Sequence, residues 1–166
     1  MRPKVRGING IDFIDIPPNA LLDDGDQIEE KKEQNDTKFI PSSKILKEVV
    51  IPEYITVHLG SPSSYAQNVT VPFTDYIKNV ASSEIYPTWP REALASNIYA
   101  EISFTLNRIY TEWYRSRGYD FDITNSTAYD HYFVNGRNIY DTISNVVDDI
   151  FNEYISRKGF KEPLLA

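Results

Sequence analysis

Between Pro90 and Gly118 the chain reads PREALASNIYAEISFTLNRIYTEWYRSRG, and its apolar residues keep step with a helix. Leu94, Ile98, Ile102, Leu106, Ile109 and Trp113 recur every three or four positions, which puts them on one helical face. Pro90 suits a first helical residue and Gly118 suits a stop. A helix from Pro90 to Arg117 would run about 40 Å at 1.5 Å per residue. That is too long to lie along the side of a small domain. Most of this helix must therefore be central, with the rest of the fold packed round it.

Two further helices are expected. One runs from Phe73 to Ile85, capped by Thr70 or Thr74 and ended by Pro87. The other runs from Asn138 to Lys158, with Ile139, Ile143, Val146, Val147, Ile150 and Tyr154 on its inner face. Arg157 and Lys158 suit its negative end, and Gly159 would stop it. Upstream, Ile55, Val57 and Leu59 alternate with Thr56 and His58, the period-two pattern of a half-buried strand. On this reading His58 faces outward. Residues 60–68 are a loop by composition. The fold class is therefore α+β: a mainly helical core of three helices, one long and central, with a few short β-strands.

Residues 1–20 hold IDFIDIPP, a short strand-like run stopped by Pro17 and Pro18. Residues 21–44 are charged and nearly free of large apolar side chains. Such a stretch cannot bury enough surface to offset its chain entropy, so it reads as a flexible linker. The folded unit spans 45–166. Its last residues, FKEPLLA, look like a strand just beginning, so the domain is expected to continue past Ala166 with its C-terminal part missing.

The net charge of −7 over 166 residues argues against non-specific nucleic-acid binding and against an anionic membrane surface. No apolar run approaches the roughly 20 residues of a membrane span. The N-terminal MRPKVRGINGIDF lacks the apolar core of a secretory signal. With no cysteine and 2 histidines, disulfides are excluded and a metal site has no support. No cofactor motif is present. The 12 tyrosines suit sugar stacking or an interface as readily as the edge of a core.

The segment NVASSEIYPTWP, Asn79 to Pro90, holds a single charge, Glu84. Helical spacing places Glu84 on the face of Ile77 and Val80, pointing toward the core or into a cleft at its rim. It also lies in the last turn, where the helix dipole is negative. Burial and dipole both disfavour the carboxylate and favour a protonated acid, as a general acid requires. A buried glutamate paired with arginine, or one turned back to water, is the plainer alternative.

The wider segment VPFTDYIKNVASSEIYPTWPREAL resembles a signature of the stage II sporulation protein D and LytB family. Asp75, Tyr76, Ile77, Val80, Glu84, Trp89, Pro90, Glu92, Ala93 and Leu94 carry the match. A looser second match lies in FDITNSTAYDHYFVNG, through Asp122, Ile123, Thr124, Ser126 and Thr127, with His131 at a family glutamine position. The sequence departs from the family where Asn97 stands near a glutamine, Ile102 replaces an arginine and Phe104 replaces a tyrosine. The resemblance covers about Val49 to Ala166. It implies a lytic transglycosylase that cuts the MurNAc–GlcNAc β-1,4 bond of peptidoglycan and leaves a 1,6-anhydro-MurNAc end, with Glu84 as the catalytic acid/base. It also implies a cell-envelope or spore-associated, extracytoplasmic setting, with glycan strands and other cell-wall hydrolases as partners. Relatives of the LytB type are amidase enhancers, so a non-catalytic glycan- or partner-binding module is the alternative, and an inactive fragment a third.

Candidate substrate-binding residues are Ser83, Tyr86, Trp89, Asn97, Thr127, Tyr129, His131 and Tyr132. The aromatics would stack on sugar rings, and the polar groups would bind N-acetyl or hydroxyl groups. Each also has a plainer role as a core plug, cap or turn residue. Glu101, Asp122 and Asp130 are candidates for the second carboxylate that ordinary glycosidases need. For Glu101, a helix flank meeting a polar partner is the plainer reading.

Overall fold

The computed structural model describes residues 4–5 and 48–165. The elements are β1 (Lys4–Val5), β2 (Tyr54–His58), β3 (Asn68–Pro72), α1 (Phe73–Glu84), α2 (Arg91–Tyr110), a 3₁₀ turn (Arg115–Arg117), β4 (Ile123–Thr124), α3 (Asp141–Ile150) and β5 (Glu153–Tyr154). The expected strand-like run at 11–18 and the charged segment 21–44 lie outside the described residues. The α+β class, with three helices and short strands, is as the sequence implies.

Strand β2 is the middle of a three-stranded sheet. It pairs antiparallel with β3, Tyr54 opposite Pro72, and parallel with β4, Val57 opposite Ile123. Ile55 and Val57 are fully buried. His58 is buried too, contrary to the outward position expected of it. It stacks on Phe121 at 4.4 Å, and its ring nitrogens meet the Asn68 side chain and the Ser64 carbonyl. Phe121 and the 60–68 loop cover this end of the outer face, while Tyr54 at the other end of the same face stays exposed. Helix α1 follows β3 without a loop, and its first residue, Phe73, donates its N–H to the Glu53 carbonyl.

The core forms where α1, α2 and α3 meet. Ile77, Val80, Ile98, Ile102, Ile143 and Val147 are all fully buried there. Helix α2 is central, as its stripe requires, but it stops at Tyr110 rather than Arg117. At 20 residues it spans roughly 30 Å. The stop is a left-handed cap built without glycine. Glu112 sits at φ 50°, its N–H donates to the Ile109 carbonyl, and the Trp113 N–H donates to the Arg108 carbonyl. That pair of bonds is the Schellman pattern. The second half of α2 is mostly buried, and its hydroxyls turn to the helix's own backbone. Ser103 and Thr105 donate to the carbonyls four residues back, those of Tyr99 and Glu101.

Helix α3 covers Asp141–Ile150, half the length expected. Residues Tyr154 and Ile155 are buried at near-helical spacing from Ile150, but in extended backbone. Strand β5 pairs parallel with β1, Lys4 opposite Glu153. The Ile155 N–H donates to Ser103 Oγ, and Tyr99 donates its hydroxyl to Glu153 at 2.6 Å. Gly159, at φ 84°, turns the chain back rather than ending a helix. Leu164 then donates to the Ile155 carbonyl, and Pro163 forms a bridge with Ser156. The final segment is thus paired with the residues before it, not left as a strand without a partner. Among the described residues, no helix is long and apolar enough to cross a membrane.

Candidate functional site

The second half of α1 works as a row of hooks. Asn79 clamps Val134 twice, donating to its carbonyl at 2.8 Å and accepting from its N–H at 2.9 Å. Ser82 Oγ accepts from the Tyr140 N–H at 3.2 Å. Ser83 Oγ accepts from Arg137 at 3.0 Å and donates to the Asn79 carbonyl. Glu84 Oε2 accepts from the Tyr132 N–H at 2.7 Å. The helix and the 132–140 loop thus form one wall, with Glu84 at its end.

Glu84 is exposed. Helical phase correctly aligns it with buried Ile77 and Val80, but it is the last residue of α1 and Ile85 is already extended. The apolar cover ends there, so the carboxyl lies at the rim rather than in the core. Ser82 and Ser83 are spent on holding the loop.

Behind Glu84 stands Glu101, from the middle of α2. It is buried, and its Oε1 has no hydrogen-bond partner. Burial pushes its carboxyl well above the usual carboxylate range; the charge of Glu84 and a hydrogen-bonding interaction with that residue push it further the same way. Each of these influences favours the protonated form of Glu101. Two other buried polar atoms lack partners near Glu84. The Tyr76 hydroxyl is pushed well above the usual phenol range by burial, then by Asp130, Glu84 and Glu101, with a looser contact to Thr105 opposing them. The Nδ1 of His131 is the other. Its imidazole is lowered by burial against the opposing pull of Glu84 and Asp130, and its ring packs on Phe104 at 4.5 Å.

The other two candidate carboxylates are occupied. Asp130 accepts from Arg108 Nε at 2.9 Å, Tyr114 Oη at 2.6 Å, and both the N–H and hydroxyl of Thr124. Arg108 also reaches the Tyr129 carbonyl and lies over the Phe104 and Trp113 rings. This hub ties the 124–132 loop to α2. Asp122 bridges the Thr56 N–H and Arg115. Neither has a free oxygen position for acid–base work comparable with that of Glu101.

The aromatic candidates stay at the surface. Tyr86, Trp89, Tyr129 and Tyr132 are all exposed, and Tyr86 and Trp89 lie 6.0 Å apart across the turn between α1 and α2. Thr127 is exposed beside Tyr129 in sequence. Asn97 is exposed one helical turn before Glu101, with its amide turned back to the Ala93 carbonyl. Glu84, Tyr132 and His131 thus come together, while Tyr86 and Trp89 continue the chain just past Glu84. Sequence spacing put Glu101 near the stripe but gave no sign that it faces Glu84. Among the described residues, no group of three or more His, Cys, Asp or Glu side chains is placed to hold a metal ion.

Searches of curated proteins and of solved structures found no match. Among protein families, residues 62–155 match the one described as stage II sporulation protein. The match covers more than half of the chain and takes in the hooked wall, Glu84, Glu101 and the 124–140 loop. The chain belongs to the stage II sporulation protein family.

Proposed function

We propose that the unit spanning residues 45–166 is a peptidoglycan lytic transglycosylase of the cell envelope or spore, acting outside the cytoplasm on MurNAc–GlcNAc β-1,4 bonds. The observation that carries this reading is the exposed Glu84 carboxyl, fixed by the Tyr132 N–H at the end of a rigid wall and backed by a buried acid. A group that gives a proton and then takes one back needs both access to the substrate and a fixed position. In this reading Glu84 protonates the glycosidic oxygen, then removes the proton of the muramic 6-hydroxyl as that oxygen closes on C1. The exposed rings of Tyr86, Trp89, Tyr129 and Tyr132 offer stacking faces for the glycan. Asn97, Thr127 and His131 are the polar contacts expected in this reading, with Ser83 acting through its hold on Arg137, and other cell-wall hydrolases are the partners expected on the same substrate.

Those same exposed rings favour a second reading, a glycan-binding module without chemistry. Purified glycan strands incubated with wild type and with Glu84→Gln separate the two. Wild type should release 1,6-anhydro-muramic products, detected by mass spectrometry, and Glu84→Gln should lose them by about a hundredfold or more. Binding without product from either protein would establish the module. Product from both would remove Glu84 from the mechanism.

A further inference from the structure

Among the described residues, Lys78, Arg91, Arg108 and Arg115 each meet a carboxylate at 3.0 Å or less. Arg137 meets none, yet it is held in place. Its backbone closes a turn in which the Arg137 N–H donates to the Val134 carbonyl at 3.1 Å, and Gly136 supplies the positive φ of 83°. Val134 is itself clamped by Asn79. The half-buried side chain is then fixed on three sides. Nη1 donates to Ser83 Oγ at 3.0 Å, Nε donates to the Asn138 carbonyl at 3.0 Å, and the guanidinium lies 5.7 Å from the centre of the Tyr140 ring. A guanidinium has five N–H groups. Two are used, and both N–H groups of Nη2 and one of Nη1 are left. That is the fork with which arginine grips a carboxylate through two parallel bonds.

The fork stands beside the proposed acid. Ser83 and Glu84 are consecutive on α1, with Cα atoms about 3.8 Å apart, so Arg137 and the Glu84 carboxyl are tied to neighbouring points of one wall. Within residues 79–84 and 132–141, the other charged side chains are Glu84 and Asp141, both acidic. Asp141 opens α3, and no ion pair joins it to Arg137 among the described residues. A substrate carboxylate arriving here would therefore meet acids alone but for Arg137. MurNAc brings such a group. Its C3 lactyl arm sits two carbons from C1 and ends either in a free carboxylate or in an amide to a stem peptide, which has carboxylates of its own. We propose that Arg137 is a specificity-determining residue that binds a carboxylate carried by MurNAc, on its lactyl arm or its stem peptide, next to the bond that Glu84 cleaves. The proposal rests on the transglycosylase reading above. The anchoring of the side chain before any ligand arrives lowers the cost of binding, because little freedom is left to lose.

The test is binding, followed by NMR on the ¹⁵N-labelled chain. Three ligands are titrated: the disaccharide GlcNAc-β-1,4-MurNAc with a free lactyl carboxylate, the same disaccharide with that group as a neutral methylamide, and the disaccharide carrying a stem peptide. None contains a MurNAc–GlcNAc bond, so wild type can be used without turnover. The expected result is that at least one acidic ligand binds about fivefold or more tighter than the methylamide, shifts the Arg137 Nε–H signal, and loses its advantage as salt is raised. A preference for the free acid places the carboxylate on the lactyl arm, and a preference for the peptide form places it on the stem. Arg137→Gln should abolish the preference, and Arg137→Lys, which keeps the charge but not the fork, should retain part of it. The Tyr132 and Val134 amide signals report whether the loop keeps its place in each variant. Equal binding of the acidic and neutral ligands to wild type would overturn the proposal without any variant, as would an unchanged preference in Arg137→Gln. Either result, with 1,6-anhydro products still formed from glycan strands, would leave the transglycosylase reading intact. Binding of none of the three ligands and no product from glycan strands would overturn both.

Discussion

Asp130, in the 124–132 loop, and Glu101, on α2, are both buried carboxyls, and they are treated in opposite ways. Asp130 has Arg108, Tyr114 and Thr124 around it, and each of them donates a hydrogen bond to its oxygens. Glu101 has a second acid as its neighbour and one oxygen with no partner. A buried charge that is fully paired fixes architecture. A buried acid that is left unpaired costs stability, and such groups gather where chemistry is done. The hub ties the loop to α2.

The sharpest way to break this contrast is at the hub. Asp130→Ala would leave the Arg108 guanidinium buried without its partner, and should cost about 3–5 kcal/mol of stability. Denaturant melts would read this as a lower midpoint. A loss below about 1 kcal/mol would mean the hub is not what anchors the 124–132 loop.

The second prediction concerns pH. The folded-state pKa of Glu101 is raised, so between the ordinary carboxyl value and that raised value the native chain binds the extra proton. Its contribution is therefore lost as pH rises above about 4.3, with a slope of up to about 1.4 kcal/mol per pH unit. Glu101→Gln should remove this slope and be relatively more stable than wild type at pH 7. The lowered His131 works in the opposite sense, with stability lost as pH falls below about 6.5. It is present in both proteins, so the difference between their melting curves across pH isolates Glu101. A difference that does not change with pH would mean Glu101 is ionised in the fold.

The smallest effect is expected at the surface. Arg91 and Asp149 meet at 3.0 Å, but both are more than half exposed. Asp149→Ala should change stability by about 0–1 kcal/mol. Set beside Asp130→Ala, it measures how much of an ion pair's worth comes from burial.

The parts of the fold that could be read in the sequence are those where one pattern has one meaning. The stripe from Leu94 to Leu106 is such a case, and α2 lies at the centre as it requires. Its end could not be read, because the stop is Glu112 in a left-handed conformation that glycine usually supplies. The end of α3 was hidden for another reason. Tyr154 is buried in the core and continues the helical count, but its backbone is a strand paired with β1 from the far end of the chain. At the site, Glu84 stood out as an isolated charge on a helix end. Glu101 could be placed on its helix but not against its neighbour, since that depends on how α1 and α2 cross.

The hooks of α1 have a further consequence. Asn79, Ser82 and Glu84 grip the main chain of the 132–140 loop, through the backbone groups of Val134, Tyr140 and Tyr132. A grip on the backbone does not depend on which side chains the loop carries. Exposed positions such as Tyr132, Asn135 and Asn138 can therefore be exchanged without shifting the carboxyl. The loop is an interchangeable facing on a fixed frame, and its outward surface can change in evolution while the Glu84 carboxyl stays where it is.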